Sequence, residues 1–163
     1  MTDDGSDASP VHRPPRVGVR AAVVRDGAIL LNHYRTAEGD VYDLPGGGQD
    51  HGETQDEALV RECLEETGAR MRPYGLACLY EMMTDRALRT GASIEPFHQL
   101  NVVRWCGLEP GEEPGLGTVP DEHQVGVAWV PVERLDEVDV RPREVAAWLM
   151  ADPSSRPTWL GTL

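Results

Sequence analysis

The chain has 163 residues, of which 40% are hydrophobic and 26% are charged, and its formal net charge is −13. This length suits one domain with a buried core, and no apolar run is long enough to span a bilayer. The negative charge repels nucleic acids and anionic membrane surfaces, so we expect neither as a partner. An anionic small substrate fits such a protein if cations are brought to its site.

The composition of the two ends of the chain predicts the domain bounds, and the cysteines indicate the cellular compartment. Residues 1–15 are acidic and then proline-rich, without the apolar stretch of a signal peptide, which predicts a disordered or loosely held tail. Residues 16–151 are expected to form the domain, with a second tail at 152–163 that Trp159 and Leu160 could dock. The three cysteines are widely spaced without a CxxC pair, which argues against a disulfide framework or a zinc site. A reducing compartment, the cytoplasm, is therefore the expected location.

The first half of the chain predicts a hairpin, a loop and a helix. Apolar-rich runs at 17–25 and 28–34 are joined by Asp-Gly, the strongest short hairpin signal. A short extended stretch at 41–44 leads into a glycine-rich loop. The helical pattern that follows runs from about Thr54 to Thr67 and ends at Gly68, a natural C-cap.

The second half predicts three more strands and one more helix. The elements are strands at 71–84, 97–106 and 125–130, a turn or short helix at 131–138 and a helix from about 143 to 150. The loop at 107–124 is rich in glycine, proline and acid, and a loop of that length is typically functional or mobile. The order β-β-β-α-β-β-β-α predicts an α/β/α layered domain with a mixed sheet.

The first helix carries a compact carboxylate face. With Glu62 as reference, Glu65 lies about 60° to one side and Glu66 about 40° to the other, while the apolar residues face away. A solvated helix with an Arg61–Glu65 pair is the simpler explanation. The preceding Pro-Gly-Gly-Gly loop favours an ion site instead, because it lets the backbone approach a ligand. Hard carboxylate oxygens without nearby His or Cys favour Mg²⁺ or Mn²⁺ over zinc, which predicts a metal site for a phosphorylated ligand.

At this point the residues resemble a known family. Residues 47 to 69 read G-x5-E-x7-R-E-C-L-E-E-T-G-A, which resembles the Nudix box. Its charged and glycine positions are all present, at Gly47, Glu53, Arg61, Glu62, Glu65, Glu66 and Gly68. Two hydrophobic positions hold the smaller Cys63 and Ala69, which affects packing more than chemistry. The resemblance covers roughly Val17 to Leu149 and implies the same layered fold.

The resemblance implies an activity and roles for the box residues. The activity is metal-dependent hydrolysis of a nucleoside diphosphate linked to another moiety, or of a related pyrophosphate, by attack of water on phosphorus. The implied ligands of Mg²⁺ or Mn²⁺ are Glu62, Glu65, Glu66 and the carbonyl of Gly47. Arg61 would orient the glutamates, with Glu53 in support through a salt bridge or water. Such metals would reverse the local negative sign and stabilise the transition state of an anionic substrate.

Several alternatives stay open. The general base is a box glutamate or an acid of the later loop, for which Glu122 is the candidate. The rivals in that loop are Glu112, Glu113, Asp121 and His123. For the substrate, Arg35 could bind a phosphate and Tyr42 could stack on a base or line the pocket. Four further residues lie in strands that could face the same cleft: Tyr80, Glu81, Phe97 and His98.

A second functional class also has to be considered. A Nudix-fold module can sense a nucleotide sugar or ADP-ribose without turnover, but the intact charges of the box favour the enzyme. The expected partner is a small nucleoside diphosphate derivative. The oligomeric state is left open, with a homodimer as one option.

Overall fold

The computed structural model describes residues 14–83 and 97–163, and the expected N-terminal tail lies almost entirely outside these ranges. In chain order the elements are β1 (Arg16–Arg25), β2 (Ala28–Thr36), β3 (Gly39–Asp43), α1 (Gln55–Thr67), β4 (Met71–Met83), β5 (His98–Leu108), β6 (Gln124–Pro131), α2 (Arg143–Met150) and β7 (Trp159–Thr162). Two short 3₁₀ helices, Val132–Glu137 and Pro153–Ser155, flank α2. None of the helices in the described ranges is long and apolar enough to cross a membrane.

The strands form one mixed sheet in the order β3-β2-β1-β5-β4-β7, with β6 paired to β2. The β1–β5 and β4–β7 pairs are parallel, and the other pairs are antiparallel. The β1–β2 turn has positive φ at both Asp26 and Gly27, as a tight hairpin needs. The predicted mixed sheet is therefore confirmed.

The core has two layers, one on each face of the sheet. Along β1, Ala21 and Val23 pack in the cluster that contains Leu59 of α1, whereas Ala22 packs in the cluster that contains Trp148 of α2. Successive side chains of a strand point to opposite faces, so α1 and α2 cover opposite sides. We call these the α1 face and the α2 face. The expected α/β/α arrangement is confirmed.

The C-terminal segment 152–163, predicted as a tail, contains a strand that the sequence did not predict. Residues Trp159–Thr162 form β7, which pairs in parallel with β4 and extends the sheet. Leu160 and Leu163 pack against the core cluster on the α2 face. The segment is therefore held by its β4 backbone partners and by Leu160, one of the two residues that could dock it on sequence grounds.

Candidate active site

Two caps fix where α1 begins and ends. The Thr54 hydroxyl accepts from the backbone N–H of Glu57 (3.2 Å), and the Glu57 carboxylate accepts from the backbone N–H of Thr54 (2.8 Å). This capping box starts the helix directly after Glu53. At the other end, Gly68 adopts the left-handed conformation (φ 65°) and donates to Leu64. The carboxylate face therefore has a defined length and orientation.

Arg61 is the centre of the carboxylate cluster. Its guanidinium donates to both carboxylate oxygens of Glu53 (2.6 and 2.9 Å), to Glu62 (2.8 Å) and to the carbonyl of Gly48 (3.1 Å). Glu65 Oε2 lies 3.8 Å from Arg61 Nη1. These hydrogen bonds from Arg61 lower the pKa of Glu53 to about 2. Arg61 thus holds Glu53 and Glu62 in place, which is the contact that the resemblance implies, while their part in catalysis stays a prediction.

Gly47 allows the loop to approach Glu62. A Cβ atom built at Gly47 would fall within the Glu62 carboxylate, so any larger residue would displace that carboxylate. The Gly47 carbonyl accepts a hydrogen bond from the backbone N–H of Val19 (2.9 Å), which fastens the loop to β1. A carbonyl oxygen has two lone pairs, so one remains for a further partner. The glycine loop is therefore shaped around a carboxylate.

Glu66 is the buried member of the cluster, with 2% exposure. One of its oxygens accepts from the Asn32 side-chain amide and from the backbone N–H of Gly46, both at 2.8 Å. Burial raises the pKa of Glu66 to about 8, against the opposing effect of these two hydrogen bonds. The Gln124 amide donates to the Asn32 carbonyl (3.2 Å) and to the Glu66 backbone carbonyl (3.0 Å). Glu66 thus joins α1 to β2, β6 and the glycine loop.

The long loop before β6 closes the C-terminal end of α1. Backbone N–H groups of Gly115, Gly117 and Val119 donate to the last three carbonyls of the helix (2.8, 2.9 and 3.1 Å). These carbonyls have no partners inside a helix, so the loop satisfies them. A Cβ atom at Gly117 would collide with the carbonyl of Glu65, which explains the glycine there. The loop expected to be functional or mobile is packed against the carboxylate helix.

The oxygen atoms of the carboxylate cluster are of the type that binds a divalent metal ion. Across residues 14–83 and 97–163, no three His, Cys, Asp or Glu side chains already converge as a formed metal centre. Arg61 Nη1 instead lies near both Glu62 and Glu65, so these two carboxylates already share one positive neighbour. All donors are hard oxygens, which Mg²⁺ and Mn²⁺ prefer. The space that Gly47 leaves for the Glu62 carboxylate is consistent with such a site.

A cleft of about 340 Å³ opens on the α2 face beside the glycine loop. Its lining includes Arg20, Asp43, Leu44, Tyr80, Met82 and Val145. Arg20 donates to the carbonyls of Leu44 (3.3 Å) and Gly46, which ties this cleft to the loop. Of the strand residues that could face the cleft on sequence grounds, Tyr80 lines it, whereas Glu81 and His98 pair with each other (3.1 Å) and are not part of its lining. A larger cavity of about 770 Å³ contains no residue of the box and lies near the β1–β2 turn.

Three sequence-based site predictions fall outside the cleft and cluster. The Glu122 side chain is 89% exposed and pairs with His123 (3.5 Å), so the structure brings it to none of the box residues. Arg35 is 66% exposed and pairs with Asp40 (3.3 Å) on the neighbouring strand. Tyr42 stacks on His33, with ring centroids 4.8 Å apart, and packs against the α2-face cluster. Glu122 and Arg35 therefore lie at the surface of the protein. One face of the Tyr42 ring is covered by His33.

Sequence reasoning missed four residues of the site: Arg20, Asn32, Gly117 and Gln124. Arg20 and Asn32 lie in strands whose local pattern indicates only β structure. Gln124 reaches Asn32 from 92 positions away, and a contact of that separation leaves no local signal. The glycine content of the loop at 107–124 was the one available hint, since glycine permits close backbone approach.

Comparisons with known proteins agree with this geometry. The family model of the NUDIX domain matches residues 14–149. The crystal structure of a MutT Nudix hydrolase from Burkholderia pseudomallei is 30% identical, with a TM-score of 0.66, and the match covers 85% of this chain and 100% of that one.

Two more distant structures share the fold. An ADP-ribose pyrophosphatase from Streptococcus suis is 21% identical (TM-score 0.56; 91% of this chain and 98% of that chain). A UDP-X diphosphatase is 19% identical (TM-score 0.60; 94% of this chain and 70% of that chain). The carboxylate helix, the glycine loop and the family match together establish that this chain belongs to the Nudix family of hydrolases, which act on pyrophosphate bonds.

Proposed function

We propose that the protein hydrolyses the pyrophosphate linkage of a nucleoside diphosphate derivative, in a reaction that depends on Mg²⁺ or Mn²⁺ and in which water attacks phosphorus. The observation that carries this proposal is the cluster in which Arg61 holds Glu53 and Glu62 against the Gly47 loop. The substrate named for the ADP-ribose pyrophosphatase and the UDP-X class named for the diphosphatase support this substrate class.

The residues that would hold the metal are Glu62, Glu65, Glu66 and the Gly47 carbonyl. When bound, a divalent cation neutralises phosphate oxygens and acidifies or orients the attacking water. Arg61 keeps the Glu62 carboxylate at the loop, and the Glu66 hydrogen bonds keep the helix at a fixed distance from Gly46. Such fixed positioning is what the transfer of a phosphoryl group mainly requires from a protein.

Glu65 is the candidate to accept a proton from the attacking water. Its side chain is 37% exposed, and within residues 14–83 and 97–163 its one ion pair is the long contact to Arg61 at 3.8 Å. Glu62 and Glu66, in contrast, each have close hydrogen-bond donors. A carboxylate with free oxygen lone pairs and access to solvent can take a proton without losing a structural bond.

The location proposed for the enzyme is the cytoplasm. Cys63, Cys78 and Cys106 are all buried free thiols. Burial raises the pKa of Cys78 and of Cys106 to about 12, which keeps both thiols protonated and unreactive. Three unpaired cysteines fit the reducing compartment expected from the sequence.

The test is a substrate panel with Mg²⁺ and with Mn²⁺, using nucleotide sugars, CDP-alcohols, ADP-ribose, dinucleoside polyphosphates and nucleoside triphosphates. Glu65→Gln removes one cluster charge, and Glu57→Gln is the matched control because a capping box also accepts Gln at its fourth position. We expect turnover of at least one nucleoside diphosphate derivative by the wild type and the control, with a loss of about 100-fold or more in Glu65→Gln. No metal-dependent turnover across the panel would refute the proposed hydrolysis, and an active Glu65→Gln enzyme would refute the role proposed for Glu65.

A further inference from the structure

The two oxygens of the Glu66 carboxylate have different surroundings. Within the part of the chain that the structure describes, every hydrogen bond to this side chain ends on Oε2, from the Asn32 amide and the Gly46 N–H group. In the same part, the buried side-chain polar atoms without a partner are Asp43 Oδ1 and Asn101 Nδ2. Glu66 Oε1 is not one of these atoms, so it still reaches solvent although the residue is only 2% exposed. Oε1 is therefore the oxygen that is open to a further ligand.

Asn32 supports this arrangement in only one orientation of its amide. Its Nδ2 group donates to Glu66 Oε2 (2.8 Å), whereas a flipped amide would place a carbonyl oxygen against the carboxylate. Two oxygens at that distance would repel each other, and the carboxylate would lose a donor. Asn32 is fully buried, so bulk water is not available to replace that donor. The orientation of the Asn32 amide thus decides whether Oε2 is occupied.

Gln124 determines that orientation from the start of β6. Its Nε2 group donates to Asn32 Oδ1 (3.2 Å) and to the backbone carbonyl of Glu66 (3.0 Å). The side-chain oxygen of Gln124 accepts from the backbone N–H of Asp121 (3.2 Å). Because a backbone N–H can only donate and a backbone carbonyl can only accept, one orientation of the Gln124 amide satisfies both. Its N–H groups then face the Asn32 carbonyl, and the Asn32 N–H groups face the carboxylate.

A purely structural role does not explain why these buried side chains are amides. The backbone carbonyl of Glu66 already accepts from the Gly117 N–H (2.9 Å), so this end of α1 is satisfied without Gln124. Apolar side chains of similar size at positions 32 and 124 would fill the same space without the cost of burying polar groups. A pair of amides instead supplies the carboxylate with a donor of fixed direction.

We propose that Asn32 and Gln124 are positioning residues for the divalent-metal site. Gln124 acts through Asn32 to keep Oε2 of Glu66 occupied, which leaves Oε1 as the oxygen that ligates the cation. This rests on the proposed function, in which Glu66 is one of the metal ligands. Both amides lie on strands, β2 and β6, rather than on the carboxylate helix. Loss of a hydrogen bond that orients a metal ligand typically lowers metal affinity by about 10- to 100-fold.

The test measures Mn²⁺ binding to the full chain without substrate, by electron paramagnetic resonance. Gln124→Met removes the amide at similar side-chain length, and Asn32→Ala breaks the same pair from its other member. The matched control is Gln99→Met, because Gln99 is also a buried glutamine near the start of a strand, and its amide donates to Asn101 instead of to the box. Thermal unfolding of each metal-free variant separates loss of the fold from loss of the metal site.

We expect Gln124→Met and Asn32→Ala each to raise the Mn²⁺ dissociation constant by about 10-fold or more, and Gln99→Met to stay within about threefold of the wild type. The double variant should bind Mn²⁺ within about threefold of the weaker single variant, because Gln124 acts through Asn32 and the two effects are not additive. A structural role alone would not produce this non-additivity.

Several results would overturn the proposal. They are wild-type Mn²⁺ affinity in a folded Gln124→Met protein, effects that multiply in the double variant, or equal weakening in Gln99→Met. If Gln124→Met does not fold, wild-type affinity in Asn32→Ala overturns it. These results leave the proposed function intact, since the wild type still binds Mn²⁺. A wild-type protein that binds no Mn²⁺ would refute the proposed metal dependence, and the positioning role with it.

Discussion

Replacing Gly47 by alanine should separate activity from stability. The added Cβ would occupy the place of the Glu62 carboxylate, which must move away and lose its 2.8 Å hydrogen bond to Arg61. For a partly exposed, charge-assisted pair this loss is about 1 kcal/mol. Gly47 has no positive φ, so alanine fits its backbone and recovers about 0.4–1 kcal/mol by restricting the unfolded chain. The free energy of unfolding should therefore change by less than about 1 kcal/mol, or about 2–4 °C in Tm.

The same substitution should strongly reduce hydrolysis. Loss of one placed charge at a transition state typically costs about 100- to 1000-fold in kcat, and we expect a loss of that size in steady-state assays with Mg²⁺. Gly48→Ala is the matched control, because its Cβ would meet only the flexible end of Arg16, and its rate should stay within about twofold of wild type. A Gly47→Ala enzyme with wild-type activity would refute the assigned place of Glu62. A loss of more than about 3 kcal/mol in stability would show that the glycine serves the fold instead.

Three more substitutions test other parts of the structure. Gly117→Ala should lower the free energy of unfolding by about 2–3 kcal/mol in denaturant titrations, because its Cβ would collide with the Glu65 carbonyl. Burial raises the pKa of Asp43 from its ordinary 3.8 to about 6, so its stabilising contribution is complete below pH 3.8 and is lost as the pH rises through 6. Unfolding measured from pH 4 to pH 7 should show a decline of up to about 3 kcal/mol that is absent in Asp43→Asn. The pH dependence that Glu53 adds to the free energy of unfolding has the opposite sign. Arg61 lowers the pKa of Glu53 from 4.5 to about 2, so the stabilising contribution of Glu53 is lost as the pH falls through that range. The Glu53→Gln substitution should therefore flatten the acid limb of the stability curve.

Each of these has a contradicting result. A Gly117→Ala protein as stable as wild type would mean that the loop does not pack on the helix as described. An unchanged pH slope in Asp43→Asn would mean that Asp43 is solvated. An unchanged acid limb in Glu53→Gln would remove the Arg61 pair from the list of interactions that stabilise the fold.

Local signals in the sequence were sufficient for the elements that depend on neighbours along the chain. The Asp-Gly turn, the capped helix and the spacing of its glutamates are all local, and the structure has each where it was expected. The strand β7 was missed because Trp159–Thr162 is short and contains a glycine, and it becomes a strand only by pairing with β4. The strand conformation of that segment therefore depends on its tertiary pairing with β4.

The candidate site also combines residues that a local sequence pattern predicts with contacts that depend on the folded sheet. The box predicts which residues belong to the carboxylate face, but the partners of Glu66 come from β2 and β6 and depend on the folded sheet. Tyr42 could stack on a base or line the pocket on sequence grounds, but in the structure it stacks on His33. The neighbouring Asp43, the last residue of β3, lines the cleft instead. A prediction of side-chain direction in so short a strand could not be made without its pairing register.

The most direct test of the central claim is a Mn²⁺ titration of the metal-free enzyme, with bound Mn²⁺ followed by electron paramagnetic resonance and hydrolysis of the best panel substrate followed in the same samples. If the glutamate cluster holds the catalytic metal, activity should be absent without Mn²⁺ and should rise in proportion to the bound ion. In Glu62→Gln both bound Mn²⁺ and activity should fall together by about 10-fold or more. Hydrolysis in the metal-free enzyme, or a Glu62→Gln enzyme that binds Mn²⁺ and turns over like the wild type, would contradict the account.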